Sequence, residues 1–273
     1  MRSIIVPVNF TANSANAARY AGDLALTIGA DIHLIYVFQI PVSASEVPLP
    51  ESVFEEMLDN GQELLTGIKA DLTAQTAGKV VVTTTLERGE VEPKIETFCK
   101  ERKPLPVVMG ATGDSLENVL TGSNTARALR HLPYPILVVP VGSKFREVGT
   151  IVVACDKEDV DSGMPDTIPF LKELSELMGA RLEVVHVLTN SEESAAEAIE
   201  EYNVWKKEAK AFQPEICIVR RRSVEEGIKE YLKDNSADWV MVFPKRHSVL
   251  EFHRSQSSQI IHHSAVPVLS VHE

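Results

Sequence analysis

The chain opens on a short continuous apolar run at residues 3–8, rich in Ile and Val. A run of that length without alternation predicts a strand buried on both faces, as in a parallel sheet. Behind it, Ala17, Ala21, Leu24, Ala25 and Ile28 recur at helical spacing. Thr11 or Asn13 is placed to cap that helix and Gly29 to stop it. Residues 32–38 read as a second strand, and 39–50, with three prolines, as a loop. The pattern continues with a helix over about 53–74, a β-branched strand at 80–86 and a helix at 91–102. A strand at 105–109, a helix within 116–129 and a strand at 136–140 complete it. Alternating strands and helices predict right-handed crossovers and an α/β fold built on a doubly wound parallel sheet.

The pattern then restarts. Residues 150–154 repeat the first strand, and Met178-Gly179-Ala180-Arg181-Leu182 repeats Ile28-Gly29-Ala30-Asp31-Ile32. The stretch from Arg222 to Ile228 echoes that from Arg88 to Ile95, and the stretch from Ala265 to Val271 echoes that from Tyr134 to Val139. Four segments repeated in the same order predict two homologous five-stranded domains, at 1–143 and 148–273, with a linker at about 141–149. The halves are expected to pack about a pseudo-two-fold axis as an intrachain pseudo-dimer, their last strands covering one another's edges. Whether whole chains also pair as a homodimer is not legible.

Composition narrows the classes. The chain of 273 residues carries a net charge of −12, which argues against nucleic acid as a partner. Arg220-Arg221-Arg222 is the only tight basic run and reads as a solvated strand end. Cys99, Cys155 and Cys217 are odd in number and widely spaced, which fits small buried side chains in a reducing compartment. The N-terminal stretch lacks the build of a secretory signal, and no apolar run approaches the roughly 20 residues of a membrane helix. The expectation is a cytoplasmic protein with no membrane association.

The candidate chemistry follows the fourth predicted strand. Met109-Gly110-Ala111-Thr112-Gly113 is followed, eight residues later, by Gly122-Ser123-Asn124-Thr125 at the start of a helical run. Glycines at the carboxyl end of a parallel strand let main-chain N–H groups approach phosphate oxygens. A helix N-terminus adds oriented N–H groups, and the switch in strand order is where open parallel sheets bind ligands. Two glycines three residues apart are by themselves only a turn; their place in the pattern is what raises them.

These residues resemble the universal stress protein family. The likeness rests on residues 4–11 (Ile-Ile-Val-Pro-Val-Asn-Phe-Thr), Gly29-Ala30, the two glycine pairs, and Pro133-Tyr134-Pro135 with the strand after them. The resemblance implies a Rossmann-like, adenine nucleotide alpha hydrolase-like domain occurring twice. It also implies a stress-response regulatory role with ATP or AMP as ligand, Mg2+ as a companion ion and a protein partner of unspecified identity. By that resemblance Pro7, Asn9, Thr11 and Val37 would line the base and ribose beside Met109, while Gly110, Gly113, Gly122, Ser123 and Asn124 would hold the phosphates. Val37 and Met109 read equally as ordinary core. Two departures stand out. The ATP-binding members carry G-x2-G-x9-G-[ST], where this chain has a spacer of eight, and Asn9 stands where the family usually has Asp.

At the equivalent place the second copy reads Val242-Phe243-Pro244-Lys245-Arg246-His247-Ser248, without glycine, although Asp156 keeps an acid after its first strand. The nucleotide is therefore expected in the N-terminal domain only. Lys245, Arg246, His247, His253 and Arg254 offer an anion site, and His247, His253, His262 and His263 a metal site. Surface histidines near a helix end remain the plainer reading, and no metal is expected. No P-loop lysine, G-x-S-x-G elbow or H-E-x-x-H pair occurs, so no catalytic residues and no enzyme are expected, slow ATP hydrolysis aside. The alternative to a nucleotide-binding regulator is an interaction or scaffold module with no working nucleotide site.

Overall fold

The computed structural model describes residues 2–39, 51–111, 124–154, 164–189, 214–244, 260 and 264–272. In the first half β1 (Ser3–Pro7), α1 (Ala12–Ile28), β2 (Asp31–Phe38), α2 (Glu51–Gln75), β3 (Val82–Arg88), α3 (Val91–Arg102), β4 (Val107–Gly110), α4 (Asn124–His131) and β5 (Ile136–Val139) alternate as expected. The second half supplies β6 (Thr150–Ala154), α5 (Met164–Met178), β7 (Arg181–Leu188), β8 (Glu215–Arg220), α6 (Val224–Asp234), β9 (Trp239–Val242) and β10 (Val268–Ser270).

Strand limits move for a simple reason. Pro106 and Pro267 have no N–H to give a ladder, so β4 and β10 each begin one residue after a proline rather than at 105 or 265. Helix ends follow local chemistry. Thr11 caps α1, its side chain accepting from the Ser14 N–H, and Gly29 closes it at φ 63°. Gly179 takes φ 66° after α5, repeating the same stop.

The strands form one ten-stranded sheet in the order β3-β2-β1-β4-β5-β10-β9-β6-β7-β8. Each half has the same internal order, and every pairing is parallel except that of β5 with β10. There Val138, Leu137 and Ile136 face Val268, Leu269 and Ser270. The last strand of each half thus covers the other's edge, as the resemblance implies.

Alternation along the strands fills two core layers. Ile4 and Val6 point to the side packed by α1, α2 and α5, and Ile5 to the side packed by α3, α4 and α6. Both layers run across the seam between the halves. The seam is also pinned by the Trp239 indole N–H, which donates to the Tyr20 hydroxyl at 2.7 Å. An ion pair of Arg2 with Glu173 at 3.1 Å spans it at the surface. Arg220, Arg221 and Arg222 lie exposed at the end of β8, as expected. Cys99 is fully buried. Cys217 departs from the expectation: it is half-buried and its sulfur lies 3.2 Å from the Tyr231 hydroxyl, because β8 is an edge strand. Cys155 lies outside the described residues. Among those residues no helix is long and apolar enough to cross a membrane.

Candidate functional site

A cavity of about 260 Å3 opens between the carboxyl ends of β1 and β4. Its place follows from the strand order. The connection after β1 crosses to β2 on one side, and β4 pairs on the other, so the two following loops part and leave a crevice. One wall is apolar and built from Pro7, Val8, Ile35, Val37, Val91 and Met109. Asn9, Thr11, Asn13, Ser14, Asn124 and Thr125 form a polar lip.

The structure therefore brings together Pro7, Asn9, Thr11, Val37, Met109, Gly110 and Asn124, all expected from the sequence. Gly113, Gly122 and Ser123 lie outside the described residues. Val37 and Met109 are both core and lining: 8% and 4% exposed, they turn one edge into the cavity. Thr125, which the sequence places with Asn124 at the same helix start, joins them, whereas Val8, Asn13, Ser14, Ile35 and Val91 are additions of the structure. Ile35 was within reach, because residues i and i+2 of a strand share a face and Val37 had been placed there. Asn13 and Ser14 sit in the first turn of α1, a position fixed once Thr11 is the cap.

The turn that carries Asn9 is held by its own side chains. Asn9 Oδ1 accepts from the Thr11 hydroxyl at 2.7 Å and from the Thr11 N–H at 3.3 Å. Ser14 Oγ accepts from the Asn9 N–H at 3.3 Å and donates to the Thr11 carbonyl at 3.1 Å. Between them Phe10 sits at φ 61°, in the left-handed region that a bulky residue rarely enters. Its ring packs on Tyr36 with centroids 4.4 Å apart. The consequence is chemical: the Asn9 carbonyl and the Thr11 hydroxyl are engaged with one another, and the Asn9 amide N–H2 is what this turn has left to offer a ligand.

Gly110 has a different reason from the one the sequence suggested. A Cβ there would lie 2.5 Å from the Asn13 carbonyl oxygen and 2.8 Å from its carbon. Glycine at 110 lets the start of α1 press against the end of β4, so its missing side chain is filled by protein main chain rather than by a phosphate. Its carbonyl accepts the Thr125 hydroxyl at 3.1 Å, tying α4 to the same strand end. Nearby, Arg127 bonds Glu90 at 2.7 Å and reaches Glu92 at 3.4 Å, joining α4 to α3 beside Val91.

The second half differs at the matching place. Val107 pairs with Ile5 of β1, and Val240 with Val152 of β6, the residue that repeats Ile5, which sets Phe243 opposite Gly110 in the repeat. Phe243 is 3% exposed, so a large buried side chain fills the place that Gly110 leaves free in the first half. Asp156, Lys245, Arg246, His247, His253, Arg254, His262 and His263 lie outside the described residues. Among those that are described, no group of three metal-ligating side chains occurs.

The fold and crevice define a duplicated open α/β sheet with a ligand-sized cleft at its strand-order switch. The profile of the universal stress protein family matches residues 1–140, just over half of the 273, and the chain belongs to that family. It is 31% identical over 144 residues to the universal stress protein MJ0531 of Methanocaldococcus jannaschii, covering 50% of this chain and 81% of that one. Among solved structures, a universal stress protein from Archaeoglobus fulgidus matches with a TM-score of 0.75 at 17% identity, over 99% of this chain and 96% of that one. A functionally unknown protein from Pseudomonas aeruginosa matches with a TM-score of 0.61 at 15% identity, over 100% and 92%. These two likenesses establish the fold across both halves.

Proposed function

We propose that the first half binds an adenine nucleotide, ATP or AMP, in the cleft between β1 and β4, and that occupancy of this cleft regulates the protein. The observation that carries the proposal is the two-sided lining. A slot of Pro7, Ile35, Val37, Val91 and Met109 suits the faces of a planar base, and the lip of Asn and Ser/Thr residues suits a sugar. At about 260 Å3 the described cavity is just under the ~300 Å3 where sites for drug-sized ligands begin. It fits a nucleoside, with the phosphates directed toward Asn124 and Thr125 at the start of α4, where free N–H groups favour anions. Gly113, Gly122 and Ser123 would complete that end, and Mg2+ would be carried by the phosphates rather than by side chains of the described lining.

Binding rather than turnover is supported by the lining itself. Among its described residues there is no histidine, carboxylate, lysine or arginine, so no side chain is placed to move a proton or to neutralise charge developing on a transferred phosphoryl group. Restriction to the first half is supported by Phe243 standing where Gly110 allows α1 to close on its strand. A nucleotide that binds one arrangement of the loops around the cleft more tightly than another would shift their populations and, through them, a partner surface.

Titration calorimetry of the purified chain with ATP and AMP tests the reading. Val37→Phe, which fills the slot, and Gly122→Asp, which sets a negative charge at the phosphate end, should each weaken binding at least about tenfold. Unchanged affinity in both variants would misplace the site. The absence of binding in the parent protein would favour the interaction module, a reading that the engaged Asn9 carbonyl also supports.

A further inference from the structure

A second cavity, of about 370 Å3, lies on the seam between the halves and shares no lining residue with the cleft between β1 and β4. Tyr20 enters it from α1, Lys144 and Arg146 from the linker, and Asp238 and Trp239 from the start of β9. Both cations are exposed, and among the described residues neither has an ion-pair or hydrogen-bond partner. In a chain of net charge −12, two such cations beside the single carboxylate of Asp238 leave this cavity a net positive lining, which favours an anion.

The floor is polar and buried. Tyr20 is 4% exposed and its oxygen accepts the Trp239 N–H at 2.7 Å, while no described residue accepts its own O–H. Burial, opposed by the Trp239 bond and aided by the nearby Asp238 and Asp23 charges, holds the phenol well above its ordinary range, so it stays a donor at neutral pH. A buried donor with no acceptor among the described residues is unfavourable, and a ligand oxygen would relieve it. Asp238 Oδ2 accepts the Gly149 and Thr150 N–H groups at 2.8 and 3.0 Å, which fixes the carboxylate and leaves Oδ1 to accept a hydroxyl.

We propose that the seam cavity binds a small phosphorylated polyol, its phosphate on Lys144 and Arg146 and its hydroxyls on Tyr20 and Asp238. The site does not rest on the nucleotide reading, although the two share α1. Asn13 and Ser14 line the first cavity, Tyr20 lines the second, and Asn16 between them donates to the Pro140 and Ser143 carbonyls at 3.4 and 3.1 Å, fastening the linker to that helix.

Calorimetric titration of the full chain with glucose 6-phosphate, glycerol 3-phosphate and inositol 1-phosphate tests it, with glucose and inorganic phosphate as controls. At least one ester should bind saturably, about tenfold or more tighter than either control, because the cations and the hydroxyl-binding groups act together. Lys144→Ala/Arg146→Ala should weaken that binding at least about tenfold while leaving the thermal midpoint unchanged, since both side chains are exposed. Saturating ATP should leave the isotherm in place. The proposal falls if none of the three esters binds, if inorganic phosphate binds as tightly, if the double variant binds like the parent, or if ATP displaces the ester.

Discussion

The two halves share a frame and differ in what they place on it. Strand order, the glycine stops at 29 and 179, and the register of the third strand's helix are repeated. In that register Glu183 takes the place of His33, and Tyr231 that of Phe98. In the first half His33 is buried, shares a hydrogen bond with Thr83 Oγ1 at 2.8 Å through Nδ1, and stacks on Phe98 at 5.0 Å. Burial, helped by the Arg102 charge, lowers its pKa to about 4, so the ring is neutral at pH 7. In the second half Glu183 is 5% exposed and accepts the Tyr231 hydroxyl at 3.0 Å and Arg181 at 3.0 Å. A neutral stacked ring and a hydrogen-bonded carboxylate occupy one position in the same layer. The lesson is that the frame tolerates either chemistry when the group is neutral or hydrogen-bonded, even though His33 Nε2 is buried with no partner among the described residues. The cleft is less tolerant, because a single Cβ decides whether α1 can close on the fourth strand.

Several substitutions would break or sharpen that comparison. Trp239, where the first half has Pro106, is fully buried and bonds across the seam. Trp239→Ala should cost about 3–5 kcal/mol in urea unfolding, and should loosen the junction of the halves, read as a lower m-value if they begin to unfold separately.

His33 should give the first half a pH dependence of its own. Its folded pKa lies below the ordinary value, so the folded state disfavours the proton and stability is fully present above about pH 6.5. It should be lost progressively as pH falls through 6.5 toward 4, by an amount on the order of 3 kcal/mol at most. Urea melts at pH 7, 5.5 and 4.5 should show this slope, and His33→Gln should flatten it.

Gly110→Val gives the first half a side chain where the second has Phe243. The added atoms meet Asn13 main chain, so overpacking should cost about 1–3 kcal/mol. Nucleotide affinity measured by calorimetry should fall with it, because Asn13 and Ser14 must move. Tyr231→Phe converts the second half's polar contact toward the first's. Leaving the buried Glu183 with one partner fewer should cost about 1–3 kcal/mol. Arg127→Ala removes a half-exposed pair and should cost only about 0.2–1 kcal/mol, with equilibrium unfolding as the check.

The periodicity of apolar positions, read alone, determined the α/β class, the repeat, the strand and helix order and the helix stops. It could do so because burial on both faces of a parallel sheet, helical spacing and left-handed glycines are local demands that leave local marks. The glycine pairs after the fourth strand pointed to the cleft at the strand-order switch, and the resemblance to the family, not periodicity, put Pro7, Asn9, Thr11, Val37, Met109, Gly110 and Asn124 among the residues there. Only the tertiary structure decided what those residues do. Gly110 faces Asn13 of another element, the Asn9 carbonyl is taken by Thr11 around a left-handed Phe10, and Val91 and Thr125 arrive from helices far along the chain. The seam cavity, with Tyr20 brought to Trp239 across 219 residues, is equally a product of packing. Contacts between distant segments depend on how whole layers dock, and no short window of sequence contains that information.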